Sequence, residues 1–377
     1  MALPCTWVRR DRITGLSMTF PIHDEEPAMP QTAKSPYEAP ANAPPPPHVQ
    51  LVQMAMGHWV SEIVHLAAEL KVADLLASGS KTAEELAQPT GTAAGPLYRF
   101  LRGLSNLGIL TESADHRFGL TALGEALKTG APGSARASVL TIASDWWARG
   151  WRELPYSVRT GKSGFEKALG MPVFDYIAGQ PEKASLFSET MIGFHGEEPA
   201  AIAAAYDFSG VSTLADIGGA TGHLLATVLA KNPKMRGILF DLPHVVADAP
   251  ALLSARGMSD RVTIEEGTFF DRVPEDADAY LLSHIIHDWS EPQCLTILGH
   301  CRRAMRPDAR LLIVEMVLPG GDEPHPGKML DLMMLVGPGG RERTAPEYST
   351  LLEKAGFRLT KVVPTSTPAS VVEAVPA

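Results

Sequence analysis

From residue 211 onward, short apolar runs alternate with helical patterns, and this alternation constrains the fold more than any other feature of the chain. Strands are predicted at Thr213–Ile217, Gly237–Asp241, Val262–Glu265, Ala279–Ser283 and Arg310–Met316. Helical patterns fall between most of them, and a strand that returns through a helix pairs in parallel. A later pair, Phe357–Val363 and Ser370–Val375, is joined by a turn-rich segment and should be antiparallel. The expected fold class is therefore α/β: a doubly wound, mostly parallel sheet closed by a C-terminal antiparallel hairpin.

Such sheets hold ligands at the carboxyl ends of their strands. The first predicted strand runs into Asp216-Ile217-Gly218-Gly219-Ala220-Thr221-Gly222, and a helix follows. The glycines allow a sharp turn and close approach of backbone to a ligand. Asp216 precedes the turn, where an acid suits a cationic group such as a ligand ammonium. The next strand ends in Phe240-Asp241-Leu242-Pro243, and an acid there can accept both hydroxyls of a ribose. A nicotinamide dinucleotide and S-adenosylmethionine both fit this much. The loop is spaced differently from G-x-G-x-x-G, and Asp216 with the C-terminal hairpin favours S-adenosylmethionine.

The apolar run Ala279–Leu282 leads into His284-Ile285-Ile286-His287-Asp288-Trp289. A second run, Leu311–Val314, ends at Glu315, and Gly339-Gly340-Arg341-Glu342-Arg343-Thr344 follows in the connection after it. A histidine beside carboxylates is held in one tautomer and its pKa rises. A phenol, with a pKa of about 10, needs such a base to become a good nucleophile. His287 is the candidate base, with Glu315 and Glu342 flanking it. His284, on the predicted strand itself, reads as packing or pocket lining.

Ahead of the sheet, residues 1–48 form a proline-rich leader expected to be disordered, which an upstream start codon could have added, since Met18 or Met29 could equally begin the chain. Val52, Met56, Trp59, Ile63, Leu66 and Leu70 then make one apolar helical stripe that needs a partner surface. Thr82 and Glu85 fit a capping box, Leu97–Leu107 is amphipathic, and Ile109–Thr111 with Arg117–Thr121 read as a small hairpin. Residues 49–138 thus have a winged-helix-like layout. Arg99 and Arg102 are the only cations where a recognition helix would lie, and the net charge is −10, so dimerisation is favoured over DNA binding and no nucleic-acid partner is expected. Residues 139–208 are helical and aromatic; Trp147, Phe187 and Met191 are candidates for lining the pocket of a flat substrate. Residues 209–377 are the catalytic domain. Three cysteines, Cys5, Cys294 and Cys301, show no zinc spacing or disulfide framework, so no metal is expected. With no apolar run long enough to span a bilayer and no convincing signal peptide, the expected location is the cytoplasm, away from any membrane.

The motifs Gly-Gly-Ala-Thr-Gly, Phe-Asp-Leu-Pro, His-Asp-Trp, Val-Glu-Met-Val-Leu-Pro and Gly-Gly-Arg-Glu-Arg-Thr occur in this order. In them the chain resembles the class I, S-adenosylmethionine-dependent small-molecule O-methyltransferases, which include plant caffeate and flavonoid enzymes, hydroxyindole O-methyltransferase and bacterial antibiotic-tailoring enzymes. The resemblance covers residues 50 to 377. It implies a Rossmann-like catalytic sheet, a winged-helix-like domain that swaps helices in a homodimer, S-adenosylmethionine as cofactor, and methylation of a hydroxyl on a small, planar aromatic compound of secondary metabolism. Carried over by position, Gly218, Gly219 and Gly222 would shape the cofactor loop, and Asp241 with Leu242 would take the ribose. Thr268 stands where an aspartate is common on the adenine side, with Phe269 as a stacking wall. Ser283 replaces a common lysine. Asp288 would sit beside cofactor or substrate, His287 would be the base oriented by Glu315 and Glu342, and Met334 would clamp a flat substrate ring. A relative with other chemistry, such as decarboxylation or hydroxylation, and a ligand-sensing or DNA-binding winged-helix protein are the competing readings.

Overall fold

The computed structural model describes residues 44–377. The expected leader lies almost wholly outside the described residues. Residues 44–55 carry one short helix, Pro47–Ala55, with Leu51, Val52 and Met54 exposed. From Met56 onward the chain forms one compact unit. The single stripe expected from Val52 to Leu70 is interrupted: a second helix spans Gly57–Glu69, with Met56 as its N-cap. Glycine disfavours a helix interior by about 1 kcal/mol, which suits a break at Met56, directly before Gly57. Among the described residues, Trp59, Val60 and Leu66 of this second helix stay exposed.

The capping box forms as expected: the Glu85 N–H donates to Thr82 Oγ1 at 3.3 Å, and the Thr82 N–H donates to Glu85 Oε2 at 2.8 Å. The amphipathic helix runs Ala94–Asn106 and buries Leu97, Leu101 and Leu104, and Gly108 takes a left-handed φ of +72° where the helix stops. Strands β1 (Leu110–Glu112) and β2 (Phe118–Leu120) then pair antiparallel. The layout is compatible with a winged helix.

Eight strands make the main sheet: β3 (Thr213–Ile217), β4 (Arg236–Asp241), β5 (Val262–Glu266), β6 (Ala279–Ser283), β7 (Arg310–Leu318), β8 (Arg343–Thr344), β9 (Phe357–Pro364) and β10 (Ala369–Pro376). Their order is β5-β4-β3-β6-β7-β10-β9, with β8 paired to β7. Strands β3 to β7 pair in parallel, and β10 is antiparallel to both β7 and β9. Along β6, Ala279 and Leu281 enter the core on one face while Tyr280 and Leu282 enter the core on the other. Both faces are covered, which is why the parallel strands read as continuous apolar runs. Strand β7 continues past the predicted end at Met316 because Val317 and Leu318 pair with β8, a two-residue strand too short to carry a sequence pattern. The strand order reverses between β3 and β6, so the carboxyl ends of those two strands flank the crevice where such sheets bind ligands.

Candidate active site

The end of β3 is shaped by its glycines. Gly218 and Gly222 have φ of +74° and +81°. A Cβ on Gly218 would lie 2.5 Å from Ile285 Cδ1, and one on Gly219 would lie 2.5 Å from Asp216 Cγ. The chain can therefore turn here only with hydrogen in place of a side chain. Asp216 is buried, and neither carboxylate oxygen has a hydrogen-bond partner among the described residues. Burial, then the charge of Asp241, raises its pKa to about 7. Asp241 closes β4 beside it; its Oδ2 accepts from the Ala220 N–H at 2.9 Å and its Oδ1 from the Leu242 N–H at 2.7 Å. A carboxylate oxygen carries two lone pairs, so Asp241 can still accept from a diol. An unpartnered buried carboxylate, a cradle that any Cβ would fill and a second carboxylate at the next strand end fit a ligand with an ammonium and a ribose. Phe269 Cε1 comes within 3.4 Å of the same Gly218 Cβ position and meets Trp289 at 6.0 Å between ring centroids. Thr268 Oγ1 accepts the Phe270 N–H at 3.2 Å, which fixes the turn carrying Phe269. Ser283 ends β6.

His287 lies in a single helical turn after β6 and is buried. Its Nδ1 is 2.6 Å from Glu342 Oε1, and its backbone N–H donates to Glu315 Oε1 at 3.0 Å. Glu315 Oε2 accepts from the Tyr348 hydroxyl, and the Glu342 N–H donates to Asp331 Oδ1 at 2.9 Å. Asp288 Oδ1 stands 3.7 Å from Nε2, inside ion-pair range but beyond hydrogen-bond length. Burial alone would push the imidazole down. The charge of Asp288, the hydrogen bond to Glu342 and the charges of Glu315 and Glu342 outweigh it and raise the pKa to about 10. Burial in turn raises Asp288 to about 6, despite the neighbouring His287.

All three expected members of the base cluster thus converge, and the loop glycines stand together with Asp216, Asp241 and Phe269. The sequence pattern did not reveal four supports. Tyr348 holds Glu315. Arg343, buried, donates to the Ile286 carbonyl at 3.3 Å and so ties down the His287 turn. Glu198 pairs with His284 at 2.6 Å. Gly340 packs so closely that a Cβ would lie 1.9 Å from the His287 carbonyl oxygen, while the Arg341 N–H donates to that oxygen at 2.8 Å. Gly340→Ala is therefore expected to destabilise the fold by about 1–3 kcal/mol through overpacking, measured by thermal denaturation, and to lower turnover beyond what the loss of folded protein explains. His284 falls just past β6 rather than on it, with a left-handed φ of +54°.

The substrate-side candidates divide. Trp147 is buried edge-on against Trp146 and Phe165, with ring centroids at 5.2 and 5.4 Å. Phe187 packs against the same cluster, so both build a core. Met191 is half-buried on the helix Pro181–Phe194. Met334 is buried, and its carbonyl accepts the N–H groups of Gly339 and Gly340 at 2.8 and 3.0 Å, which sets the turn leading to Glu342.

Residues 151–358 match the family model of the O-methyltransferase domain, and residues 52–130 match that of the O-methyltransferase dimerisation domain. The chain belongs to the O-methyltransferase family. A phenazine O-methyltransferase of Lysobacter antibioticus is 43% identical over 326 residues, covering 86% of this chain and 95% of that protein. The solved structure of LaPhzM superposes with a TM-score of 0.83 at 43% identity, covering 88% of this chain and 100% of that one. The neocarzinostatin-biosynthesis O-methyltransferase NcsB1, solved with S-adenosylmethionine and 2-hydroxy-5-methyl naphthoic acid, gives a TM-score of 0.75 at 30% identity, covering 84% of this chain and 96% of that one. No helix among the described residues of this methyltransferase is long and apolar enough to cross a membrane.

Proposed function

We propose that this S-adenosylmethionine-dependent O-methyltransferase methylates a hydroxyl of a small aromatic secondary metabolite, with His287 as general base. The observation that carries the assignment is the 2.6 Å contact of His287 Nδ1 with Glu342, which leaves Nε2 as the atom that takes the proton. When bound, S-adenosylmethionine supplies an electrophilic sulfonium methyl, whose sulfur keeps the electron pair of the broken S–CH3 bond as the substrate oxygen forms the new O–CH3 bond. Asp216 would hold the ammonium, Asp241 the ribose hydroxyls, and Phe269 the adenine face. Glu342 and Glu315 orient the imidazole, and Tyr348 and Arg343 hold those supports in place. Much of the rate should come from holding the two reactants in line.

The dimerisation-domain match and the exposed Trp59, Val60 and Leu66 support a homodimer built through residues 49–138. Residues 139–208 would supply the substrate pocket and residues 209–377 the catalytic domain. The net charge of −10 argues against a nucleic-acid partner, and the sparse cysteines suit the reducing cytoplasm.

Two measurements test this reading. Incubation with methyl-labelled S-adenosylmethionine and a panel of aromatic hydroxyl compounds should transfer label to an oxygen, located by mass spectrometry; label on carbon or nitrogen alone would refute it. Asp216→Asn should weaken S-adenosylhomocysteine binding by about 10- to 100-fold, the worth of one charge-assisted hydrogen bond, measured by calorimetry. Unchanged affinity would remove Asp216 from the ammonium site.

A further inference from the structure

A second histidine–glutamate pair stands beside the first and has no part in removing the proton. His284 Nε2 lies 2.6 Å from Glu198 Oε1, and Glu198 Oε2 lies 3.3 Å from His195 Nδ1. The His195 and His284 ring centroids are 4.0 Å apart with the planes tilted by 36°, and the His284 and His287 centroids are 5.3 Å apart. Burial opposes charge on Glu198, but its bonds to His195 and His284 hold it at about 2. Burial pushes His284 down to about 4, despite Glu198. At neutral pH a carboxylate therefore faces a neutral imidazole. The carboxylate has no proton to give, so the hydrogen of the 2.6 Å contact is on Nε2. Nδ1 of His284 then offers only a lone pair, and it is buried without a partner among the described residues. His287 has the converse arrangement, with Nδ1 engaged and Nε2 free. The backbone of His284 is left-handed, a conformation a histidine keeps only where its surroundings impose it.

We propose that His284 Nδ1, locked in tautomer by Glu198, accepts a hydrogen bond from a second donor on the substrate, so that the enzyme selects aromatic compounds bearing an O–H or N–H ortho or peri to the hydroxyl that is methylated. This rests on the O-methyltransferase reading above and names its substrate class. Two imidazoles with neighbouring rings, each fixed by its own glutamate and each with one free nitrogen, match two adjacent substituents on one flat ring. A lone phenol would leave the His284 lone pair buried and unpaired, and sites built for a hydrogen bond discriminate strongly against analogues that lack it. The competing occupant is a divalent cation, because His195, Glu198 and His284 offer ligand atoms within 4.8 Å of one another. A cation would displace the proton to Nδ1, and metal-bound histidines almost always donate that proton to a partner. His284 Nδ1 has none among the described residues, which favours the substrate donor.

The test uses the full chain and three probes: 2,3-dihydroxynaphthalene, 3-methoxy-2-naphthol and 2-naphthol. With S-adenosylhomocysteine present, calorimetry should show the diol binding about tenfold tighter than its methoxy analogue. His284→Phe should erase that difference while still binding 2-naphthol. Nitrogen-15 spectra of the wild-type histidine rings give a readout independent of any variant: His284 Nδ1 should be unprotonated and should shift when the diol, but not the methoxy analogue, is added. Equal binding of diol and methoxy analogue by the wild type, survival of the preference in His284→Phe, or a protonated Nδ1 would overturn the proposal. So would stoichiometric binding of zinc alone that shifts both His195 and His284. If all three probes are methylated with equal kcat/KM, only the second-donor assignment falls; if none is bound or methylated, the substrate class proposed for the enzyme falls with it.

Discussion

His287→Gln is expected to lower kcat by about 10²- to 10⁴-fold, the usual worth of a positioned general base. The affinity for S-adenosylhomocysteine should stay within a few-fold of wild type, because His287 is placed against Glu342 and Glu315 rather than against the glycine loop. Initial rates and calorimetry on the same preparation separate the two quantities. Equal losses in turnover and cofactor affinity would mean that the variant has disturbed the crevice as a whole.

Glu342→Gln should be nearly as damaging, by about 10²- to 10⁴-fold, for a different reason. The carboxylate accepts only from a protonated Nδ1 and so fixes the tautomer that leaves Nε2 free. An amide can donate to Nδ1 instead, and the wrong tautomer disables a base whose geometry is otherwise intact. Its pH dependence should change as well. With its pKa raised to about 10 from the ordinary 6.5, His287 is a stronger base that holds a proton more tightly and releases it as pH rises. The wild-type rate should therefore climb with pH through that range. Loss of the Glu342 charge lowers the imidazole pKa, so the variant's inflection should move to lower pH while its maximum falls. The stability linked to His287 has the matching sign: it is full below pH 6.5 and is lost as pH rises through about 10. Glu342→Gln should narrow that window, measured by denaturation at pH 6 and pH 9. An inflection that stays in place would show that Glu342 does not set the His287 pKa.

What was legible in the sequence is what short-range chemistry dictates. Gly218, Gly219, Gly222 and Asp241 are each written at a strand end, and the structure brings them to the crevice where β3 and β6 diverge. His287, Glu315 and Glu342 could be chosen because each follows or ends an apolar run or a glycine turn. Less legible was everything that depends on approach between distant elements. Glu198 reaches His284 across 86 positions, Tyr348 reaches Glu315 across 33, and no periodicity in either segment marks the pairing. Trp147 and Phe187 illustrate the converse. Their aromatic character suited a substrate wall, yet the large apolar area they carry is used in a core with Phe165, Val173 and Val336. The break at Met56 shows the limit of a stripe: apolar spacing continued across a residue pair where the helix did not.

The central claim is that His287 Nε2 removes the substrate proton. It is tested most directly by single-turnover methyl transfer to 2,3-dihydroxynaphthalene, comparing wild type with His287→Gln from pH 7 to pH 10.5. A gap of at least about 100-fold is predicted at pH 7, and it should persist as pH rises, because the imidazole and the substrate hydroxyl, each with a pKa of about 10, lose their protons over the same range. Equal rates at pH 7 would contradict the assignment.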